Sequence, residues 1–119
     1  MAESILLTRA KELSFEIVTL CNNVKKQYKE SVITNQLMRS GTSINANIHE
    51  SKYAQGKRDF ASKMQIALKE CYETESWLEL LYKSGFIVEL EYKKLQQKCG
   101  SIRRMLISSI NTVNKSIDG

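Results

Sequence analysis

Apolar residues recur along this chain at alternating steps of three and four, with polar and charged residues between them. Such spacing places the recurring positions along one side of an α-helix, as in helices that pack into a bundle. The clearest example is the stretch 57–83, which contains neither glycine nor proline. The packing side of this predicted helix, its seam, consists of Phe60, Met64, Ala67, Cys71, Thr74, Leu78 and Leu81.

Three further stretches repeat the pattern. The first predicted helix, 3–28, has the seam residues Leu6, Ala10, Leu13, Ile17, Leu20, Val24 and Tyr28. The second, 31–53, has the seam residues Ile33, Leu37, Ser40, Ile44 and Ile48. The fourth, 88–117, has the seam residues Val88, Tyr92, Leu95, Cys99, Ile102, Leu106, Ile110, Val113 and Ile117. Four amphipathic helices with short connections predict an all-α, antiparallel up-and-down four-helix bundle.

Three residues bear on how these helices end and pack. We expect Ser31 to cap the second helix, because its hydroxyl can accept a hydrogen bond from an unpaired amide. Gly85 follows the third helix and is expected to form a left-handed C-terminal cap. Gly41 inside the second helix costs about 1 kcal/mol relative to alanine. A close helix crossing at Gly41 would explain that cost.

The composition fits one domain, residues 1–119, with 42% apolar residues and no proline. Three widely spaced cysteines without a CxxC pair predict reduced core thiols, and neither a disulfide framework nor a zinc site. The chain has no apolar run of signal-peptide or membrane-spanning length. We therefore expect a soluble cytoplasmic protein with no membrane partner.

The net charge of +5 and the pI of about 9.2 favour a polyanionic partner. Basic residues cluster at the end of the first helix and on the outer faces of the fourth. The candidate nucleic-acid-binding residues are Lys25, Lys26, Lys29, Lys94, Lys98, Arg103 and Arg104. They would contact phosphates without reading base sequence. The alternatives are that the first group only complements the helix dipole and that the second is a solvated face.

A polar stripe runs beside the seam of the second helix. Antiparallel pairing with the third helix places Arg39 level with Glu70 and near Glu73, which predicts a partly buried pairing with one of these carboxylates. The full predicted structural network is Arg39, Asn47, Glu50, Glu70 and Glu73. Carboxylates neutralised by a guanidinium are poor bases, so we interpret the network as fixing helix register and not as catalytic.

Several apolar residues lie outside the seams. These are Leu7, Phe15 and Val18 on the first helix and Trp77 on the third. They either widen the buried face or form a subunit contact. We favour the contact, which predicts a homo-oligomer.

The sequence contains no grouping typical of an enzyme. His49 is the single histidine, and there is no glycine-rich phosphate loop, metal-binding helix motif or nucleophile elbow. Di-iron bundles use Glu-x-x-His motifs, which are absent here. We predict no cofactor, no metal and no catalytic residue. A metal or small-molecule enzyme built in the bundle core remains the least favoured alternative.

Part of the second and third helices resembles a known family. The resembling residues are the run 36–44, Ala46, Asn47, Glu50, Asp59, Phe60, Lys63, Met64, the run 66–70, Glu73, Thr74, Trp77, Leu78, Leu80 and Leu81. They resemble the bacterial four-helix-bundle proteins encoded by intervening sequences of large-subunit ribosomal RNA genes, often labelled ribosomal-protein-like. That family is similar to the accessory variability determinant of diversity-generating retroelements, a barrel-shaped homopentamer that associates with a reverse transcriptase and nucleic acid.

The resemblance implies a ring-shaped homo-oligomer, with a pentamer favoured, and RNA or a nucleoprotein such as a reverse transcriptase as partner. It carries over no catalytic residue. Together with the charge pattern, it predicts a non-enzymatic oligomeric bundle that contacts RNA through basic surfaces. The alternative is a protein-only assembly adaptor.

Overall fold

The computed structural model describes residues 4–118, which form four α-helices. These are α1 (Ile5–Tyr28), α2 (Val32–Ser51), α3 (Lys57–Lys83) and α4 (Glu89–Asp118). The predicted boundaries agree to within about two residues, except that the predicted start of the first helix at residue 3 lies outside the described residues. The described part of the chain contains no strand, so the all-α prediction is confirmed.

Each helix packs against the next one in sequence, and α1 also packs against α4. The short connections reverse the chain each time, which gives the predicted up-and-down bundle. The molecule is a rod of 51 × 24 × 20 Å. Within residues 4–118, no helix has an apolar stretch long enough to span a lipid bilayer.

The predicted seams form the core of this rod. Most of their residues are buried, and the exceptions lie at the bundle ends, where Tyr28 and Val88 are exposed. The core also contains hydroxyl groups: Thr74 Oγ1 donates a hydrogen bond to Ser40 Oγ across α2 and α3 at 2.9 Å. The three cysteines are buried free thiols, as predicted. Burial raises the pKa of the Cys21 thiol to about 12, so that thiol stays protonated at neutral pH.

The start of α2 differs from the prediction. Ser31 occupies the N-cap position, but its hydroxyl makes no capping hydrogen bond. The preceding residue, Glu30, does so: its carboxylate accepts hydrogen bonds from the amides of Ile33 at 2.8 Å and Thr34 at 2.9 Å. Burial by itself would raise the pKa of Glu30, but these backbone hydrogen bonds prevail and lower it. The cap is therefore an ionised carboxylate.

The end of α3 agrees with the prediction. Gly85 has a φ of +85°, and the amides of Gly85 and Phe86 donate to the carbonyl oxygens of Tyr82 and Leu81, each at 3.0 Å. This pair of hydrogen bonds defines a Schellman motif. The Phe86 ring then packs edge-on against Tyr28 at the end of α1, with ring centroids 5.3 Å apart. The connection is thus attached to the bundle.

Gly41 marks a close crossing of α1 and α2. A Cβ atom placed on Gly41 would lie 2.7 Å from Cδ1 and 3.0 Å from Cγ2 of Ile17. The backbones are also joined there, because Ser14 Oγ donates a hydrogen bond to the Gly41 carbonyl oxygen at 2.8 Å. The absence of a side chain at Gly41 therefore permits the approach, as the sequence suggested.

Candidate nucleic-acid interface

The lysines at the end of α1 form an exposed group, which we call the α1 lysine cluster: Lys25, Lys26 and Lys29. Lys29 ends the helix with a φ of 57°, and its amide donates to the Lys25 carbonyl oxygen at 2.8 Å. Lys25 Nζ donates to the neutral Asn35 side chain on α2. Among residues 4–118, no salt bridge involves this cluster. Its charges are therefore available to an external anion.

The α4 lysines predicted for the same surface have a different environment. Lys94 and Lys98 both contact Glu16 of α1, with nitrogen to oxygen distances of 3.3 and 2.6 Å. Burial would raise the pKa of Glu16, but hydrogen bonds from Lys98 and Lys94 outweigh it and the pKa is lowered. Glu16 thus stays ionised and offsets one of the two cations.

The two α4 arginines also differ from each other. Arg103 Nε donates to a Glu75 carboxylate oxygen on α3 at 2.8 Å, and its guanidinium lies 5.7 Å from the Tyr72 ring centroid. The hydrogen bond to Glu75 raises the pKa of Arg103. Arg104 is exposed on the outer side of α4, and within the described residues no carboxylate pairs with it. The seven predicted cations therefore divide into paired and unpaired groups.

The pairing predicted for Arg39 is present. Its Nη1 lies 3.2 Å from a Glu70 oxygen and its Nη2 lies 2.6 Å from a Glu73 oxygen. A hydrogen bond shared with Glu70, followed by the one from Arg39, lowers the pKa of Glu73. Arg39 already pairs with both carboxylates. The three charged side chains are therefore better suited to connecting α2 with α3 than to acid–base chemistry.

The rest of the predicted network is separate from this group, which corrects the prediction. Asn47 Nδ2 donates back to the Ser43 carbonyl oxygen of its own helix at 2.9 Å. Glu50 pairs with Lys63 at 3.2 Å, near the other end of α2. The stripe spacing identified the correct face of α2, but Asn47 and Glu50 lie two and three turns away from Arg39.

The four apolar residues outside the seams differ in how exposed they are. Leu7 is only 1% exposed and belongs to the core of the protomer, so the outer surface does not include it. Val18 and Trp77 are half-buried. Phe15 is 74% exposed on the outside of α1. Within the described residues, the buried Trp77 Nε1 has no hydrogen-bond partner. Phe15 is therefore the strongest of the four as a contact residue.

Sequence reasoning missed Arg9. Its Nη1 donates to Ser101 Oγ of α4 at 2.9 Å and lies 3.6 Å from Met105 Sδ. Arg9 and Glu16 are seven residues apart and so share one side of α1, facing a stripe on α4 that contains Lys94, Lys98 and Ser101. The sequence pattern that could have indicated Arg9 is a second periodic stripe of α1, made of polar residues, beside the apolar seam.

A metal-binding arrangement is not found in the described part of the chain. No three histidine, cysteine, aspartate or glutamate side chains there are grouped so that they could hold a metal ion. His49 lies on the exposed side of α2 against Tyr53, with ring centroids 5.6 Å apart. The seven candidate cations include lysines, which bind anions as point charges, and arginines, which bind them through a planar fork of donors.

Comparison with known protein families identifies the family of this chain. The model of the 23S rRNA-intervening sequence protein family matches residues 2–108. The chain belongs to this family. No curated protein matches it. A solved structure from Bacteroides thetaiotaomicron VPI-5482, described as a protein of unknown function from the S23 ribosomal protein family, is 40% identical with a TM-score of 0.88. The alignment covers 89% of this chain and 98% of that one.

The predicted family resemblance is thus confirmed. The match to the intervening-sequence protein family includes all seven candidate cations, the Arg39 group and the α1–α4 contact. Of residues 4–118, only the last turns of α4 lie beyond it. The candidate interface therefore sits on the family fold itself and not on an appended segment.

Proposed function

We propose that this intervening-sequence protein is a non-enzymatic oligomeric bundle that binds structured RNA through the α1 lysine cluster. The observation that supports this proposal is that no carboxylate of residues 4–118 forms a salt bridge with Lys25, Lys26 or Lys29. Glu30 is the one carboxylate in the stretch 22–35, and it is directed at the amides of α2. Three adjacent ammonium groups without carboxylate partners attract phosphates and release their counterions.

The paired cations are weaker candidates for this role. Lys94, Lys98 and Arg103 each contact a carboxylate, which reduces the potential that they present to a polyanion. Arg104, with which no carboxylate of the described residues pairs, contributes an additional positive charge on α4. RNA contact would therefore be centred on the end of the rod where α1 ends, with the outer side of α4 as an extension.

Self-association is the second part of the proposal. The ring of Phe15 is too exposed to stabilise the protomer, so burial between copies would supply a driving force of about 25 cal/mol per Å² of apolar area. A ring, for which five copies are our expectation, would place several α1 lysine clusters within reach of one RNA. Multivalent contact of this kind raises affinity without new contacts in the protomer.

The RNA role is tested by fluorescence anisotropy with a labelled structured RNA over a series of salt concentrations. The test variant carries Lys25→Gln, Lys26→Gln and Lys29→Gln. The control carries Lys52→Gln, Arg58→Gln and Lys115→Gln, which removes the same charge from exposed positions at the opposite end. We expect the test variant to bind more weakly and to lower the salt slope by about 1 per lost phosphate contact. Equal losses in both variants would contradict the assignment.

The oligomer is tested by light scattering with Phe15→Asp against Ser62→Asp, an exposed position on the outer side of α3. We expect the first to dissociate and the second to remain assembled. A wild-type protein that is monomeric at micromolar concentration would contradict self-association. An assembled protein without salt-dependent RNA binding would favour the protein-only adaptor.

A further inference from the structure

A cleft of about 350 Å³ opens between α1 and α4. Arg9 and Glu12 line it from α1, and Lys94, Lys98 and Ser101 line it from α4. This volume is in the range of clefts that hold small ligands or part of a larger one. The residues facing the cleft are mostly polar, and cations outnumber carboxylates.

Within residues 4–118, Arg9 is held in place by uncharged groups and no carboxylate pairs with it. Its Nη1 is fixed by the hydroxyl of Ser101 and approaches the thioether of Met105, and both of these groups are uncharged. By contrast, the guanidinium groups of Arg39 and Arg103 are bound to carboxylates. A guanidinium has five N–H donors in a planar fork, so the three donors of Arg9 on Nε and Nη2 have no partner within residues 4–118. Such a fork matches the geometry of a phosphate.

Lys94 and Lys98 add positive charge on the α4 side of the cleft. Lys94 and Lys98 share the single carboxylate of Glu16. The cations at the cleft are Arg9, Lys94 and Lys98, and the carboxylates are Glu12 and Glu16. Three positive charges and two negative charges leave an excess of one positive charge. A phosphodiester group carries one negative charge and would balance this excess.

We propose that the α1–α4 cleft binds a phosphate group, with Arg9 as the bidentate donor and Lys94 and Lys98 as supporting charges. The phosphate belongs either to an RNA backbone or to a free phosphate ester. The first source rests on the RNA binding proposed above, whereas the second does not. The cleft lies along the side of the rod and is separate from the α1 lysine cluster at its end.

The test is nuclear magnetic resonance of the arginine Nε–H groups of the full chain during titration with inorganic phosphate, at ionic strength held constant with sodium chloride. We expect a saturable shift of the Arg9 signal. Arg9→Gln removes charge-assisted hydrogen bonds, so phosphate affinity, followed on backbone amides around the cleft, should fall about tenfold. Arg9→Lys keeps the charge but removes the fork and should also weaken binding. Arg58→Gln, a matched loss of charge outside the cleft, should leave affinity unchanged.

The absence of a phosphate-specific shift at Arg9 in the wild-type protein would overturn the proposal, even if RNA still bound. A nucleoside monophosphate and the structured RNA then distinguish the two sources. Weaker binding of both by Arg9→Gln assigns the cleft to the RNA backbone. Weaker binding of the nucleotide alone assigns it to a free ester. Phosphate binding without any RNA binding would support the cleft and overturn the RNA function.

Discussion

Arg39 of α2 and Glu73 of α3 form an ion pair in which guanidinium nitrogen and carboxylate oxygen are 2.6 Å apart. The same guanidinium reaches Glu70, so one cation connects two carboxylates from successive turns of α3. The Glu70 side chain is only 10% exposed, whereas the Arg39 side chain is 48% exposed. The cation thus covers a carboxylate that the packing of α2 on α3 has largely removed from water, and we expect the pairing to favour one helix register.

Replacing Arg39 with methionine should therefore destabilise the bundle. Without the guanidinium, the Glu70 carboxylate is left buried and unpaired, and we expect the free energy of unfolding to fall by about 1–3 kcal/mol. Lys63→Met is the matched control, because it breaks the more exposed pair with Glu50 and should cost less than about 1 kcal/mol. Urea unfolding followed by circular dichroism measures both. Equal values for the two variants would contradict the register role of Arg39.

The same pairing predicts a pH dependence. The pKa of Glu73 in the folded protein lies below its ordinary value of 4.5, because the carboxylate shares a hydrogen bond with Glu70 and accepts one from Arg39. The stability that ionised Glu73 contributes is therefore fully present above pH 4.5 and is lost as the pH falls through the lowered pKa. The difference in unfolding free energy between wild type and Arg39→Met should shrink in acid. Urea titrations at intervals from pH 7 to pH 3 measure it, and a difference that stays constant or grows over this range would argue against the assignment.

The crossing at Gly41 gives a prediction of the opposite kind, in which a better helix former destabilises. Gly41→Ala gains about 1 kcal/mol of helix propensity, but the new Cβ meets Ile17 and should lower stability by about 1–3 kcal/mol. Gly100→Ala makes the same change in α4, where the new Cβ meets only the flexible ends of Arg104 and Arg103. That control should be neutral or stabilising.

A double-mutant cycle checks the cause of the Gly41 effect. Ile17→Val removes the Cδ1 atom that would lie 2.7 Å from the new methyl group. The combined variant should therefore lose less stability than the sum of the two single variants. Additive losses in thermal or chemical unfolding would mean that the contact with Ile17 is not the reason for glycine at this position.

The sequence predicted the fold well because the apolar seams are long and repeat with one period. The roles of Gly85 and Gly41 could also be predicted from the sequence. A left-handed turn at Gly85 and a close helix crossing at Gly41 each favour a residue without a side chain. Leu7 was misassigned because the buried side of α1 is wider than a single seam, as it contacts both α2 and α4.

The candidate site was less predictable, because its properties depend on which carboxylates reach which cations. Helical spacing gives the side of a helix but not the partner of a long side chain. Glu16 lies 78 or more residues along the chain from Lys94 and Lys98, which it pairs with. Glu75 lies 28 residues from its partner Arg103. The distinction between the α1 lysine cluster and the paired α4 cations therefore required the packed structure. Arg9 was hidden for the same reason, since Ser101 is 92 residues away.

The cap of α2 gives the last prediction. Lys29 turns the chain into a left-handed conformation immediately before Glu30, and this turn brings the Glu30 carboxylate, and not the Ser31 hydroxyl, over the first amides of α2. Glu30→Ala should lower stability by about 1 kcal/mol, whereas Ser31→Ala should change it by only a few tenths. Because the folded pKa of Glu30 is lowered, the wild-type advantage over Glu30→Ala should be present above its ordinary value of 4.5 and disappear in more acidic solution. Denaturant unfolding of both variants at pH 7 and pH 3 provides the comparison. A larger loss from Ser31→Ala would restore serine as the capping residue and contradict the hydrogen bonds at Ile33 and Thr34.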